Sequence, residues 1–231
     1  MPRTKSSEAA PAVKKADRTT KKKRLEPRRL PNQARSRDTV ETVLKAAGAE
    51  IERDGLDRLT TRRIAARAGI SVGSLYEYFP NKQSIVYALV TDWMDRTFKV
   101  LDDLHPARGG AKDLLSYLGE QIDQMALLYR DQPGLGTLVT MVSSVPELRD
   151  AVRLHDERSA ASVTSALQYF APQADPRSVP VTARTIAIIA HEMLCEAIAR
   201  NAPDGPQLIH NLKICVFALG TRLLLPPSQA R

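Results

Sequence analysis

Fifteen prolines punctuate this chain, and their spacing is the strongest constraint on its fold. None lies between Pro31 and Pro80. Beyond Pro80 they recur at Pro106, Pro133, Pro146, Pro172, Pro176, Pro180, Pro203, Pro206, Pro226 and Pro227. Proline locks φ and lacks an N–H, so a helix accepts it in its first turn or past its end, not in its interior. The longer proline-free runs, 81–105, 107–132, 147–171, 181–202 and 207–225, each suit one long helix or two short ones. β-branched alternation is nearly absent, which leaves strands little support. The expected fold is all-α.

Apolar periodicity agrees. Val40, Val43, Leu44, Ala47 and Ile51 follow the 3/4 spacing of one helix face. That helix is expected to stop near Gly55, at the position after a helix end that favours glycine. Val86, Leu89, Val90, Trp93, Val100, Leu101 and Leu104 mark a second long helix. Leu208, Leu212, Val216, Leu219 and Leu223 form a packing seam near the C-terminus.

Charge is unevenly spread. Residues 1–37 hold 13 Lys/Arg against 3 Asp/Glu, an excess of +10, while the other 194 residues balance at −2. A near-neutral body with a basic arm points to a polyanionic partner, nucleic acid before membrane. Residues 1–30 carry few large apolar side chains and read as disordered. Two cysteines make no disulfide framework, and no apolar run approaches the roughly 18–20 residues of a membrane span. The N-terminus has charges but no apolar signal core. The expectation is a cytoplasmic protein with no membrane partner.

Residues 56–82 carry the function. Thr60 or Thr61 can cap a short helix that buries Ile64, Ala65 and Ala68. Gly69 supplies a tight turn and Ile70 plugs the angle between two helices. Ser71 caps a second short helix with Leu75 and Phe79 inside, and Pro80 ends it. Two short helices joined by a glycine-containing turn are a helix-turn-helix. With the preceding helix as support, they make a small DNA-binding domain.

Two local conflicts point outward. Arg62 and Arg63 sit in a helix's first turn, where the macrodipole prefers anions. Either they are solvated surface charges or a phosphate supplies the missing anion. Gly73 lies inside a short helix, where glycine costs about 1 kcal/mol relative to alanine. Either the helix tolerates it, or the backbone there approaches the major groove closely.

The run resembles the signature of the tetracycline-repressor (TetR) family of bacterial transcription regulators. The resemblance is carried by Thr60-Thr61-Arg62, Ile64-Ala65, Ala68-Gly69-Ile70-Ser71, Gly73-Ser74-Leu75-Tyr76, Tyr78-Phe79 and Asn81-Lys82. It covers about residues 34–85. It implies that Thr61 and Arg62 touch DNA from the first helix of the motif. It implies that Val72, Gly73 and Ser74 face base edges or the adjacent backbone, that Tyr76 donates to a phosphate, and that Lys82 clamps another. Tyr78, like Glu77, takes an exposed recognition-helix position. The alternative for Tyr76 and Tyr78 is half-buried aromatics whose hydroxyls meet water. Lys21, Lys22, Lys23, Arg24, Arg28 and Arg29 of the arm either add non-specific affinity or enter a minor groove.

The resemblance also implies an organisation: a basic arm (1–30), a helix-turn-helix domain (31–82), an effector-binding and dimerisation domain (83–225) and a tail (226–231). Residues 107–225 carry no Gly-rich phosphate loop, HExxH or G-x-S-x-G, and the four histidines show no metal-ligand spacing. No catalytic residue, cofactor or metal is expected. His191 and Cys195 lie four apart, with Cys215 on the next helix; a core cysteine beside a hydrogen-bonded histidine is the plain reading. Met125, Leu128, Tyr129, Leu138, Met141 and Val142 give two helices an adaptable face that is either core or a pocket wall. His155, Ser159 and Glu192 are candidate polar anchors for a small effector. The last two helices are expected to pair with those of a second copy across a two-fold axis, which matches a palindromic operator. The leading expectation is a repressor released by its effector. The alternative is a non-specific nucleic-acid binder driven by the arm.

Overall fold

The structure is a computed structural model and describes residues 34–142 and 148–225, the side chains of 34, 35 and 140–142 excepted. The basic arm and the C-terminal tail lie outside the described residues. Among the described residues there are nine α-helices and no strand. They are α1 (Ala34–Asp54), α2 (Thr61–Ala68), α3 (Val72–Tyr78), α4 (Lys82–Asp103), α5 (Leu114–Arg130), α6 (Leu135–Val142), α7 (Arg149–Phe170), α8 (Ser178–Leu194) and α9 (Gly205–Leu224). A short 3₁₀ turn, Pro106–Arg108, follows α4, and a π-helical turn, Cys195–Ala199, continues α8.

The prolines lie where their chemistry allows. Pro180 falls in the first turn of α8, and Pro206 in that of α9. Gly55 ends the first helix as expected: its φ is +73° and its N–H bonds the Ile51 carbonyl.

α1, α2 and α3 close around Val43, Ala47, Ile51, Leu59, Ile64, Leu75 and Phe79, all at most 2% exposed. α4 is the strut between the two halves. It packs on α1, α5 and α7. α7, α8 and α9 pack in sequence, and α9 returns onto α5. There a Cβ on Gly220 would stand 2.5 Å from Leu118 Cδ1, so a larger residue would require the Leu118 side chain to shift.

The leucine seam of α9 packs within the chain. Leu212, Val216 and Leu223 are buried in the protein's own core. The apolar side chains that α8 and α9 leave exposed are Val181, Ile188, Ile214 and Leu224.

α6 is wedged between the two halves. A Cβ on Gly48 of α1 would meet the Pro133 carbonyl oxygen at 3.0 Å, just before α6. A Cβ on Gly136 of α6 would meet the Ala199 carbonyl oxygen of the π-helical turn at 2.4 Å. Backbone therefore approaches backbone on both sides of this short helix.

Candidate nucleic-acid interface

Local chemistry sets the helix-turn-helix. Thr60, not Thr61, is the N-cap of α2 and accepts from the Arg63 N–H at 3.3 Å. Gly69 closes α2 in the left-handed region, φ +68°, and its N–H bonds the Ala65 and Ala66 carbonyls. Ser71 caps α3, accepting from the Ser74 N–H at 3.0 Å, and the two hydroxyls lie 2.9 Å apart. Phe79 is extended and ends α3 ahead of Pro80. Asn81 then caps α4 in a reciprocal box with Ser84.

These caps give α3 two faces. Leu75, with Phe79 just beyond its end, anchors the inner one, fully buried. Val72, Gly73 and Tyr76 are exposed, and Ser74 and Tyr78 are half-buried. Tyr76 Oη lies 3.2 Å from Thr61 Oγ1, which ties α3 to the first turn of α2. A Cβ on Gly73 would touch only Ser71 Oγ, at an ordinary 3.6 Å. Among the described residues nothing requires glycine there. Lys82, at the start of α4, reaches back to the Leu56 carbonyl at 3.5 Å.

The two arginines of α2 part company. Arg62 is exposed and takes no ion pair among the described residues. Arg63 turns inward, against the expectation of two outward cations. It pairs with Glu50 at 2.9 Å and with Asp54, and it also donates to the Arg58 carbonyl. Its anion is intramolecular, so only Arg62 keeps the outward role. Glu50 is 3% exposed and is also held by Arg67 at 2.6 Å and Arg53 at 2.9 Å. The Arg67 hydrogen bond, with the charges of Arg53 and Arg63, holds the Glu50 carboxyl below the usual range despite burial. The sequence carried a signal for this cluster: two acids one turn apart on α1 mirror two arginines one turn apart on α2.

The residues expected to meet an effector divide. Tyr129 is buried, and its hydroxyl lies 2.7 Å from His191 Nδ1. His155 Nε2 lies 3.3 Å from Thr97 Oγ1. Met125 lines a cavity of about 30 Å³ between α5, α8 and α9, with Ala187, Ala190 and Leu194 opposite. Leu128 is half-buried. Glu192 is exposed, while its neighbour His191 turns in beside Tyr129. Met141 falls in α6, but its side chain lies outside the described ones, as does Val142's. Sequence reasoning missed Trp93 and Thr97 as partners in this interior, because both lie in a helix that otherwise reads as plain core.

Cys195 Sγ sits 3.7 Å from His191 Nε2, and burial raises the thiol to about 11. Cys215 is exposed on α9. Among the described residues no group of three or more His, Cys, Asp or Glu is placed to hold a metal, and no helix is long and apolar enough to cross a membrane.

Residues 43–89 match the family described as bacterial regulatory proteins, tetR family. Residues 112–219 match the tetracyclin repressor-like C-terminal domain. Solved structures share the fold. A transcriptional regulator from Rhodococcus sp. Rha1 superposes with a TM-score of 0.65 at 17% identity, covering 81% of this chain and 99% of that one. A TetR-family regulator from Mesorhizobium loti gives 0.65 at 18%, covering 81% and 97%. Among curated proteins, the nucleoid occlusion factor SlmA of Actinobacillus pleuropneumoniae is 38% identical over 56 residues, 24% of this chain and 26% of its own length. The alignment thus spans about a quarter of that relative. With both halves matched and the helix order shared, the chain belongs to the TetR family of bacterial regulatory proteins.

Proposed function

We propose that this chain is a homodimeric, sequence-specific DNA-binding transcription regulator, a repressor that a small-molecule effector releases from a palindromic operator. One observation carries the reading. The outward side of α2 and α3 gathers Thr61, Arg62, Val72, Gly73, Ser74 and Tyr76, while Leu75 and Phe79 fix the helix beneath them. Arg62, Tyr76 and Lys82 would take phosphates, and Tyr78 would flank them. Val72 and Gly73 would meet thymine methyls or backbone, because neither offers a hydrogen-bonding side chain.

The dimer is supported by Val181 and Ile188 on α8 and Ile214 and Leu224 on α9, apolar side chains that the chain leaves exposed. Effector response is supported by the close backbone approaches of α6 to α1 and to the π-helical turn. A ligand that binds one packing of these helices better shifts the population of DNA-competent dimers.

The test is binding of the purified protein to fragmented genomic DNA at about 150 mM salt, with sequencing of what is retained. The reading expects a palindromic motif, and release of that DNA by low-molecular-weight cell extract. Uniform retention without a motif contradicts it. A second reading, a non-specific binder driven by the arm, draws on the +10 excess of residues 1–37.

A further inference from the structure

Four helices bring polar and aromatic side chains together inside the second half. α4 contributes Trp93 and Thr97, α5 Tyr129, α7 His155 and Ser159, and α8 His191. Tyr129 Oη and His191 Nδ1 lie 2.7 Å apart. The Trp93 ring stands edge-on to Tyr129 at 5.6 Å between centroids, and 6.3 Å from His191. Thr97, one turn beyond Trp93, bonds His155, and Ser159 lies one turn beyond His155.

Two groups in this cluster have no hydrogen-bond partner among the described residues: Trp93 Nε1, on a side chain 7% exposed, and Ser159 Oγ. An unpaired buried donor is costly, and native interiors hold few. None of these six side chains lines the 30 Å³ cavity, but two of the helices that carry them do: its wall includes Met125, one turn before Tyr129 on α5, and Ala190, which precedes His191 on α8. It has room for about a water molecule, so a larger guest must part α5 from α8.

We infer that this cluster anchors the effector, and that the effector is an uncharged molecule presenting a hydrogen-bond acceptor on a flat, largely apolar body. The inference rests on the ligand-responsive reading above. An indole N–H can only donate, so the ligand supplies the acceptor. The flat body lies among Trp93, Tyr129 and His191. No group in the cluster offers a formal charge. Burial holds both imidazoles below the ordinary histidine value and raises the Tyr129 phenol and the Cys195 thiol. The charged neighbours Asp95, Asp156, Arg158, Glu192 and Arg200 are all exposed. An ionised ligand would therefore be buried without a counter-ion. His191 stands one turn before the π-helical turn whose Ala199 carbonyl abuts Gly136, so a guest that displaces it presses toward α6 and α1.

Trp93 is the chain's one tryptophan, so its indole N–H gives one resonance. The experiment titrates full-length protein with benzamide, benzoate and benzylammonium, one ring carrying three charges, and follows that resonance by ¹H–¹⁵N NMR. Benzamide is expected to shift it with a Kd of about 1–10 mM, as suits so small a ligand. Ser159→Ala is expected to weaken binding about fivefold, as loss of one hydrogen bond does. Trp93→Phe, read by calorimetry, is expected to do the same, and circular dichroism reports whether each variant folds. Charged probes that bind at Trp93 as well as benzamide overturn the ligand class and leave effector response standing. Silence of the resonance with all three probes overturns the site. Release of genomic DNA by extract, which needs no knowledge of the site, separately decides whether the protein responds to ligands at all.

Discussion

Thr61 Oγ1 and Tyr76 Oη lie 3.2 Å apart, joining the first turn of α2 to the exposed face of α3. The contact is exposed and adds little to stability, yet it fixes where the tyrosine hydroxyl stands. In the proposed complex that hydroxyl donates to a phosphate while Thr61 holds its other side.

Tyr76→Phe removes this donor and leaves the ring in place. Operator affinity is expected to fall about five- to tenfold, with the salt dependence unchanged because no charge is lost. Lys82→Ala is expected to weaken binding too, but with a salt slope shallower by about one. Anisotropy titrations at several salt concentrations separate the two. Unchanged affinity in both variants, with the fold intact, removes these contacts from the account.

Gly73→Ala places a methyl where only Ser71 Oγ is near, at 3.6 Å. The free protein is expected to gain up to about 1 kcal/mol from the better helix former. Operator binding is expected to weaken, since the methyl faces outward. Thermal denaturation and binding measured on one preparation check the opposition. A more stable variant with unaltered affinity would show that Gly73 lies away from DNA.

How far the sequence speaks is clear from this region. The capped ends at Ser71, Gly69 and Gly55 were legible because each uses local chemistry within four residues. The two faces of α3 followed from Leu75 and Phe79. The destination of Arg63 depends on a pairing between helices, Glu50 and Asp54 of α1 against Arg63 and Arg67 of α2, which no single helix displays by itself. The α9 seam is a related case. Spacing marks Leu212, Val216 and Leu223 as buried, but only packing shows that their partner is the chain's own core. The Trp93–Tyr129–His191 cluster unites helices far apart in sequence, and no periodicity in one helix announces it.

Glu50→Gln tests the arginine cluster. Arg63 and Arg67 are about one-third exposed, so water screens part of the loss. Stability is expected to drop by about 1–3 kcal/mol, below the usual cost of breaking a fully buried pair. The freed guanidiniums are expected to raise affinity for random-sequence DNA and to steepen its salt slope by about one. A variant that is destabilised but binds random DNA as before would make Glu50 purely structural.

Ile188→Glu and Ile214→Glu place charges on side chains that are 53% and 54% exposed in the single chain. Neither is expected to disturb the fold. Each is expected to shift sedimentation from dimer to monomer and to weaken operator binding, because one head then holds one half-site. Dimers that persist in both variants would place the interface elsewhere.

In the proposed function α2 and α3, not the basic arm, choose the DNA sequence. The most direct test compares the full chain with a chain beginning at residue 31, each titrated against the motif recovered from genomic DNA and a scrambled duplex of equal length. Removal of the arm is expected to weaken binding to both duplexes, with the ratio between them largely kept. Loss of that ratio together with the arm would contradict that reading.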